Sequence, residues 1–209
     1  MSIGQGPGGP LGLGMEEIQL SQEWTLRKKY IFRVAERLEE PRCSELVRKY
    51  LGHSEWEALL LSEEERAFKL KLKPTKGPAL SLRLGIYHES KLIGFTYGWQ
   101  LDEYSYYMAA SLILPEYQRQ GLYSELLKYT IEFTRAKGFQ TITSKHKATN
   151  NAVIIPKLKA GFLITGLELS DIMGTMIGLT YLHNSHRRDL LNARAGFKPP
   201  TERVRPLLG

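Results

Sequence analysis

The sequence predicts a mixed α/β (α+β) domain: a mostly antiparallel, twisted sheet of about six to seven strands flanked by helices. Three observations lead there. First, residues 80–88, 92–101 and 106–114 are apolar or alternating runs, parted only by Glu89-Ser90-Lys91 and Asp102-Glu103-Tyr104-Ser105. Strands joined by such short polar turns make an antiparallel meander. Second, the apolar period then changes. Leu122, Leu126, Tyr129 and Phe133 recur at spacings of four and three, the stripe of a helix with one buried face, and Lys137-Gly138 ends it. Third, residues 162–169 and 175–182 read as a closing pair of strands.

Taken in order, residues 1–14 are rich in glycine and proline and carry no charge, so they are expected to form a disordered leader or an expression remnant. The domain is expected to span 15–184, followed by a basic helix and loose tail over 185–209. A short strand is expected at 16–20. Trp24, Tyr30, Ile31, Val34 and Leu38 then suggest a helix from Glu23 to near Pro41. Further helices are expected over 44–50 and 54–65, the latter opening with Ser54 and Glu57 in a capping box. Residues 68–73 alternate apolar side chains with lysine, a half-exposed strand, before the turn Lys76-Gly77-Pro78. A short strand over 140–144 and a short helix over 150–160 precede the closing pair. Pro156 is expected to kink that helix or delay its start.

Composition narrows the function classes. The chain has 209 residues, 42% hydrophobic and 24% charged, ordinary globular values with enough length for a good core. No run of 18 apolar residues exists, so no membrane span is expected. The single cysteine, Cys43, excludes an internal disulfide and fits a reducing, cytoplasmic setting, where it would be a small buried hydrophobe. No histidine–cysteine spacing suits a metal. The net charge of +7 comes without a continuous basic run or aromatic–basic interleaving, so nucleic acid is not the expected partner.

Between the third meander strand and the long helix lies Gln118-Arg119-Gln120-Gly121-Leu122-Tyr123. A helix N-terminus offers unpaired amides and a partial positive charge to an anion, and Gly121 would let the backbone approach a phosphate closely. Gln118-x-x-Gly121 after a Pro-Glu-Tyr turn resembles the acyl-CoA pyrophosphate loop of the GNAT acetyltransferase superfamily. That family's pattern is Arg or Gln, two residues, Gly, one residue, then Gly or Ala; Tyr123 stands in the last place. The run from Asn150 to Gly161-Phe162 resembles the later motif of the same family in spacing and order.

The resemblance implies a splayed central parallel pair of strands and transfer of an acyl group, usually acetyl, from acetyl-CoA to an amine. It implies that the amides of Gln120, Gly121, Leu122 and Tyr123 bind the pyrophosphate, with the Gln118 and Arg119 side chains assisting and Asn150 beside the cofactor. Pantetheine would pair with Leu112 and Leu114, and the Leu112 N–H would polarise the thioester carbonyl; a register slip of one residue would swap faces. The glutamate some members carry ten residues before the loop glutamine is here Met108, which leaves Glu103 and one of Tyr106 and Tyr107 as candidates for the amine's proton. Tyr106 and Tyr107 point to opposite faces, and Tyr107 is taken as the candidate. The family's tyrosine that protonates the leaving thiolate is replaced by Lys157. His53, Trp56 and Glu57 fall where the family shapes acceptor choice, and Lys145, His146 and Lys147 fall near the adenosine end. The acceptor, a small amine, an antibiotic or a protein amine, is not selected. A non-catalytic acyl-CoA-binding module is the alternative reading, and a basic domain turned to nucleic acid or ribosomes is the third. The basic tail also leaves room for a second subunit.

Overall fold

The structure, a computed structural model, describes residues 21–51, 62–63 and 80–208. One sheet of eight strands carries the fold, in the order β1-β2-β3-β4-β5-β6-β8-β7. The strands are β1 (Glu23–Leu26), β2 (Tyr30–Val34), β3 (Ser81–His88), β4 (Lys91–Gln100), β5 (Ser105–Ile113), β6 (Thr141–Lys147), β7 (Leu163–Ser170) and β8 (Gly174–Leu182). The helices are α1 (Arg42–Leu46), which continues into a π-helical turn at Val47–Leu51, then α2 (Leu122–Ala136), α3 (Asn151–Lys159) and α4 (Ser185–Arg194). The meander, the long helix and the closing pair stand where the sequence places them. The expected strand at 16–20, helix at 54–65, strand at 68–73 and turn at 76–78 lie outside the described residues, Ser62 and Glu63 excepted. So do His53, Trp56 and Glu57.

The count of six to seven strands is too low, and the first segment explains why. Residues 23–34 form a hairpin, not a helix. Leu26 pairs with Tyr30, so three residues make the turn; Arg27 and Lys28 both take positive φ, 53° and 56°, and Lys29 N donates to Leu26 O at 3.3 Å. The decisive residue is Phe32, fully buried, which the helical stripe left out. Trp24 lies between Phe32 and Tyr129 of α2, with ring centroids 5.1 and 4.3 Å away. Alternation within each short strand outweighs the coincidental helical spacing, because α2 supplies an aromatic surface to pack against.

Every neighbouring strand pair is antiparallel except β5 and β6. That parallel pair is short. Ser105, Tyr106 and Tyr107 pair with Thr141, Ile142 and Thr143, and there the ladder stops, although β5 continues to Ile113 and β6 to Lys147. A bulge sits beside the parting: Tyr97 pairs with Ala110 and Gly98 with Met108, leaving Ala109 as the extra residue. Gly98 is required opposite it, since a Cβ there would lie 2.3 Å from Tyr107 O and 2.5 Å from Tyr106 Oη.

The apolar stripe of α2 (Leu122, Leu126, Leu127, Phe133) belongs to one core with Phe32, Tyr106 and Ile142. Helix α3 starts directly after Asn150 and passes through Pro156, so the proline neither delays nor ends it. Only the bond from residue 156 back to Ala152 is lost, while Ala160 N still donates to Pro156 O at 2.9 Å. The C-terminal tail is not loose: Val204 is fully buried, and Arg194 Nη2 donates to Leu207 O at 3.3 Å. Cys43 is buried, as its type suggests.

Replacing Gly98 by Ala is expected to destabilise the protein by about 1–3 kcal/mol, since backbone rather than a flexible side chain must give way; urea unfolding with an unchanged midpoint would show that the bulge is not constrained there.

Candidate cofactor site

The cleft follows from the parting of β5 and β6. Among the described residues, one edge of β5 has no strand partner beyond Tyr107, and α2 begins at the far end of that edge. The space enclosed is about 380 Å³, bounded by Ser111 to Ile113 of β5, the loop at 117–119, the first turn of α2 and the start of α3.

The loop meets the helix at Gly121, whose φ of +83° is a left-handed conformation that glycine adopts without strain. Glu125 N closes the first helical turn on Gly121 O at 3.1 Å, so the amides of Leu122, Tyr123 and Ser124 lie ahead of any intrahelical acceptor. Gly121, Leu122, Tyr123 and Ser124 all line the cleft, as do Gln118, Arg119 and Asn150. Gln120 does not. Its side chain accepts a short hydrogen bond from Tyr30 Oη and donates to Glu116 O at 3.4 Å, which ties the loop to β2. Asn150 caps α3 with its backbone carbonyl, which accepts from Val153 N and Ile154 N, and its exposed side chain stands at the cleft mouth.

The backbone polarity of β5 corrects the expected register. Leu114 donates its amide to Ile93 O at 2.9 Å, and Leu112 O lies 2.8 Å from where a Cβ of Gly94 would be. Amides alternate sides along a strand, so those of Leu112 and Leu114 face β4 and are engaged there. Ser111 and Ile113 present theirs to the open edge. The Ile113 carbonyl accordingly accepts from Gln118 Nε2 at 3.0 Å. The bulge at Ala109 shifts the parity by one, which no count along the sequence reveals.

Other expected site residues are distributed as follows. Glu103 is exposed in the turn before β5, and neither it nor Tyr107 lines the cleft. Tyr106 is buried against Phe133 and Phe139, and burial pushes its hydroxyl well above the ordinary tyrosine range. Tyr107 lies on the opposite face, edge-on to Trp99 at 5.5 Å, with Tyr97 stacked beyond at 6.3 Å from Trp99. Lys145, His146 and Lys147 are strand residues of β6, not loop residues, and none lines the cleft. Lys145 pairs with Glu168.

Two residues named from the sequence bury polar atoms that sequence reasoning did not place. Lys157 is fully buried, donates to Ser144 Oγ at 2.6 Å and lies 5.0 Å from the Phe162 ring centre. Burial pulls its ammonium down to about 7. Ser144 Oγ also lies 3.1 Å from His146 Nε2, and burial with the nearby Lys157 charge pulls that imidazole down to about 3. The second group is Tyr123. Its hydroxyl is shut off from solvent and makes no hydrogen bond among the described residues. Ser111 is its polar neighbour, but the two hydroxyls do not meet in bonding geometry, and Ser111 Oγ instead lies 2.9 Å from Thr96 Oγ1.

Comparison with known proteins agrees with this fold. The acetyltransferase (GNAT) family profile matches residues 44–162, more than half of the chain. The fold is similar to a GNAT family acetyltransferase from Elizabethkingia anophelis solved with acetyl-CoA bound, at 15% identity and a TM-score of 0.53 over 75% of this chain and 99% of that one. It is similar to the IAA acetyltransferase from Bacillus cereus, at 13% identity and a TM-score of 0.54 over 73% and 99%. It is also similar to yncA from Salmonella typhimurium, solved with its cofactor acetyl-CoA, at 16% identity and a TM-score of 0.55 over 73% and 93%. No curated protein matches the sequence.

The Lys157 environment has a pH signature. A lysine whose folded value, about 7, lies below its ordinary 10.5 binds fewer protons in the native than in the unfolded state between those limits. Stability must then rise with pH across that window, by an amount on the order of a few kcal/mol. Urea unfolding between about pH 7 and pH 10 should show the rise in the parent protein and a flatter profile in Lys157→Met; parallel profiles would place Lys157 in contact with solvent.

Proposed function

The chain belongs to the acetyltransferase (GNAT) family, and we propose that it is an N-acetyltransferase that moves the acetyl group of acetyl-CoA directly onto an amine. The observation that carries this reading is a helix N-terminal anion cradle continuous with an unpaired strand edge. The cradle suits a diphosphate: Gly121 presents no side chain, three amides converge behind it, and Arg119 stands exposed at the rim. The edge suits an extended chain carrying amides, since the Ser111 and Ile113 backbones can pair with it as a further strand would. Asn150 completes the wall on the α3 side.

At the inner end of this edge the Ser111 N–H takes the oxyanion role. Pointing into the gap, it polarises the thioester carbonyl and holds the negative charge that develops as the amine adds. Leu112 N–H, turned to β4, is replaced in that role, and Leu112 contributes its position in the wall. The amine approaches over the sheet face bearing Tyr97, Trp99 and Tyr107. A lysine-like amine has a pKa of roughly 10.4, so about one in a thousand is neutral at pH 7 and a proton must leave. That proton passes to solvent beside Tyr107, with Glu103 in the adjoining turn as the nearest carboxylate along the chain. Collapse of the adduct breaks the C–S bond, and the CoA thiolate departs. A thiol of pKa near 8.5 leaves acceptably without a dedicated acid. The lone Cys43, buried and pushed up to about 11, supports a reducing, cytoplasmic setting.

A second reading has its own observation. No aspartate, glutamate or histidine lines the cleft among the described residues, and buried Met108 holds the place of a possible base. A domain that binds acyl-CoA without turnover would look the same.

Thermal unfolding with CoA tests the shared part. At about 100 times Kd a ligand adds roughly 2.7 kcal/mol of stability, a readily seen shift. Gly121→Glu should abolish it by bulk and charge; if neither protein responds at millimolar CoA, both readings fall. Release of free thiol from acetyl-CoA in the presence of an amine panel then separates enzyme from binder.

A further inference from the structure

A buried hydroxyl without a partner is a cost that a folded chain rarely retains. Losing water without gaining a hydrogen bond destabilises by about 1–3 kcal/mol. Tyr123 carries such a hydroxyl, and it does so in the wall of the cofactor cleft. Its place is specific. Tyr123 is the second residue of α2, directly behind Gly121, and its ring reaches back to the open edge of β5, where Ser111 is its polar neighbour. Ser111 Oγ lies 2.9 Å from Thr96 Oγ1, which itself donates to Ala110 O at 2.9 Å, so the Ser111 proton goes to Thr96; no hydrogen bond joins Ser111 Oγ to the Tyr123 hydroxyl. The Tyr123 hydroxyl thus adjoins Ser111, whose N–H faces the open edge of β5, and among the described residues neither donor has an acceptor. Two adjacent donors at a strand edge describe a site for one oxygen atom.

We propose that the Tyr123 hydroxyl is a second oxyanion donor, which with the Ser111 amide binds the thioester carbonyl oxygen of acetyl-CoA. The inference rests on the acetyl-CoA reading above and adds a catalytic residue to it. Burial favours the neutral phenol, so Tyr123 acts as a fixed dipole and gives up no proton. Its bond strengthens as the carbonyl oxygen gains charge, so it favours the transition state over the bound substrate. The site is specific to the acyl form: free CoA ends in a thiol and has no thioester carbonyl to fill it.

The test uses Tyr123→Phe, which keeps the ring and removes only the oxygen. In calorimetric titrations the variant should bind CoA as the parent does but acetyl-CoA about three- to tenfold more weakly, the worth of one hydrogen bond. In isotope-edited infrared spectra the bound [1-13C]acetyl carbonyl band should lie at lower wavenumber in the parent than in the variant. The free variant should be at least as stable as the parent in urea, because an orphaned group has been removed. A hydroxyl of purely structural importance would instead lower stability and leave the carbonyl band unmoved, and that outcome overturns the proposal. Equal acetyl-CoA affinity with an identical band also overturns it while leaving the CoA reading intact. Failure of the parent itself to bind CoA overturns the underlying reading and this inference together.

Discussion

The early end of the β5–β6 ladder is the constraint on which the rest of the site depends. Three residue pairs hold the two strands together, and each then follows a different partner: β5 stays on β4, and β6 stays on β8 along its whole length. A parted pair inside a sheet leaves backbone donors and acceptors without their natural complement, which a fold cannot tolerate if they are sealed from water. The chain resolves this by making the gap a cleft. The bulge at Ala109 bends β5 away, Gly98 permits the bend, and the first turn of α2 sets its amides at the end of the same gap.

Around this cleft the protein keeps polar groups where an ordinary core would be apolar. Among the described residues Lys157 has no carboxylate to balance it, and burial accounts for its depressed basicity. Its partner is neutral Ser144, shared with His146. Such an arrangement trades stability at neutral pH for a hydrogen-bonded contact of defined geometry between β6 and α3, which a hydrophobic residue of the same volume would not orient. Tyr123 departs in a similar way, since a small residue would have closed the same helix turn without burying a hydroxyl.

Much of this was legible in the sequence, and the exceptions have physical causes. The meander could be read because half-buried strands show a period of two, and α2 because its stripe is long. The place of Gly121 at the loop–helix junction, where it lines the cleft, was legible because glycine suits the left-handed turn into a helix. The hairpin at 23–34 was misread because two short strands joined by a three-residue turn chanced on helical spacing, and only the aromatic surface of Tyr129 decides between them. The cleft-facing amides were displaced by one because a bulge is a property of two strands, invisible in either alone. Lys157 and the Tyr123 hydroxyl could not be foreseen, since burial of a polar atom is settled by packing from distant segments.

The bond between Tyr30 Oη and Gln120 reaches from the hairpin into the loop that forms the anion cradle. The hairpin lies ahead of the residues matched by the family profile, yet it holds one wall of that loop in place. If the cradle holds an anion as proposed, ordering of the hairpin and occupancy of the cradle are thermodynamically linked, and linkage runs both ways. Whatever loosens the hairpin's packing on α2 weakens the grip on the anion, and a bound anion in turn protects the hairpin from fraying. The N-terminal strands are in this sense a remote clamp, and the boundaries of the functional unit are wider than those of the recognisable family core.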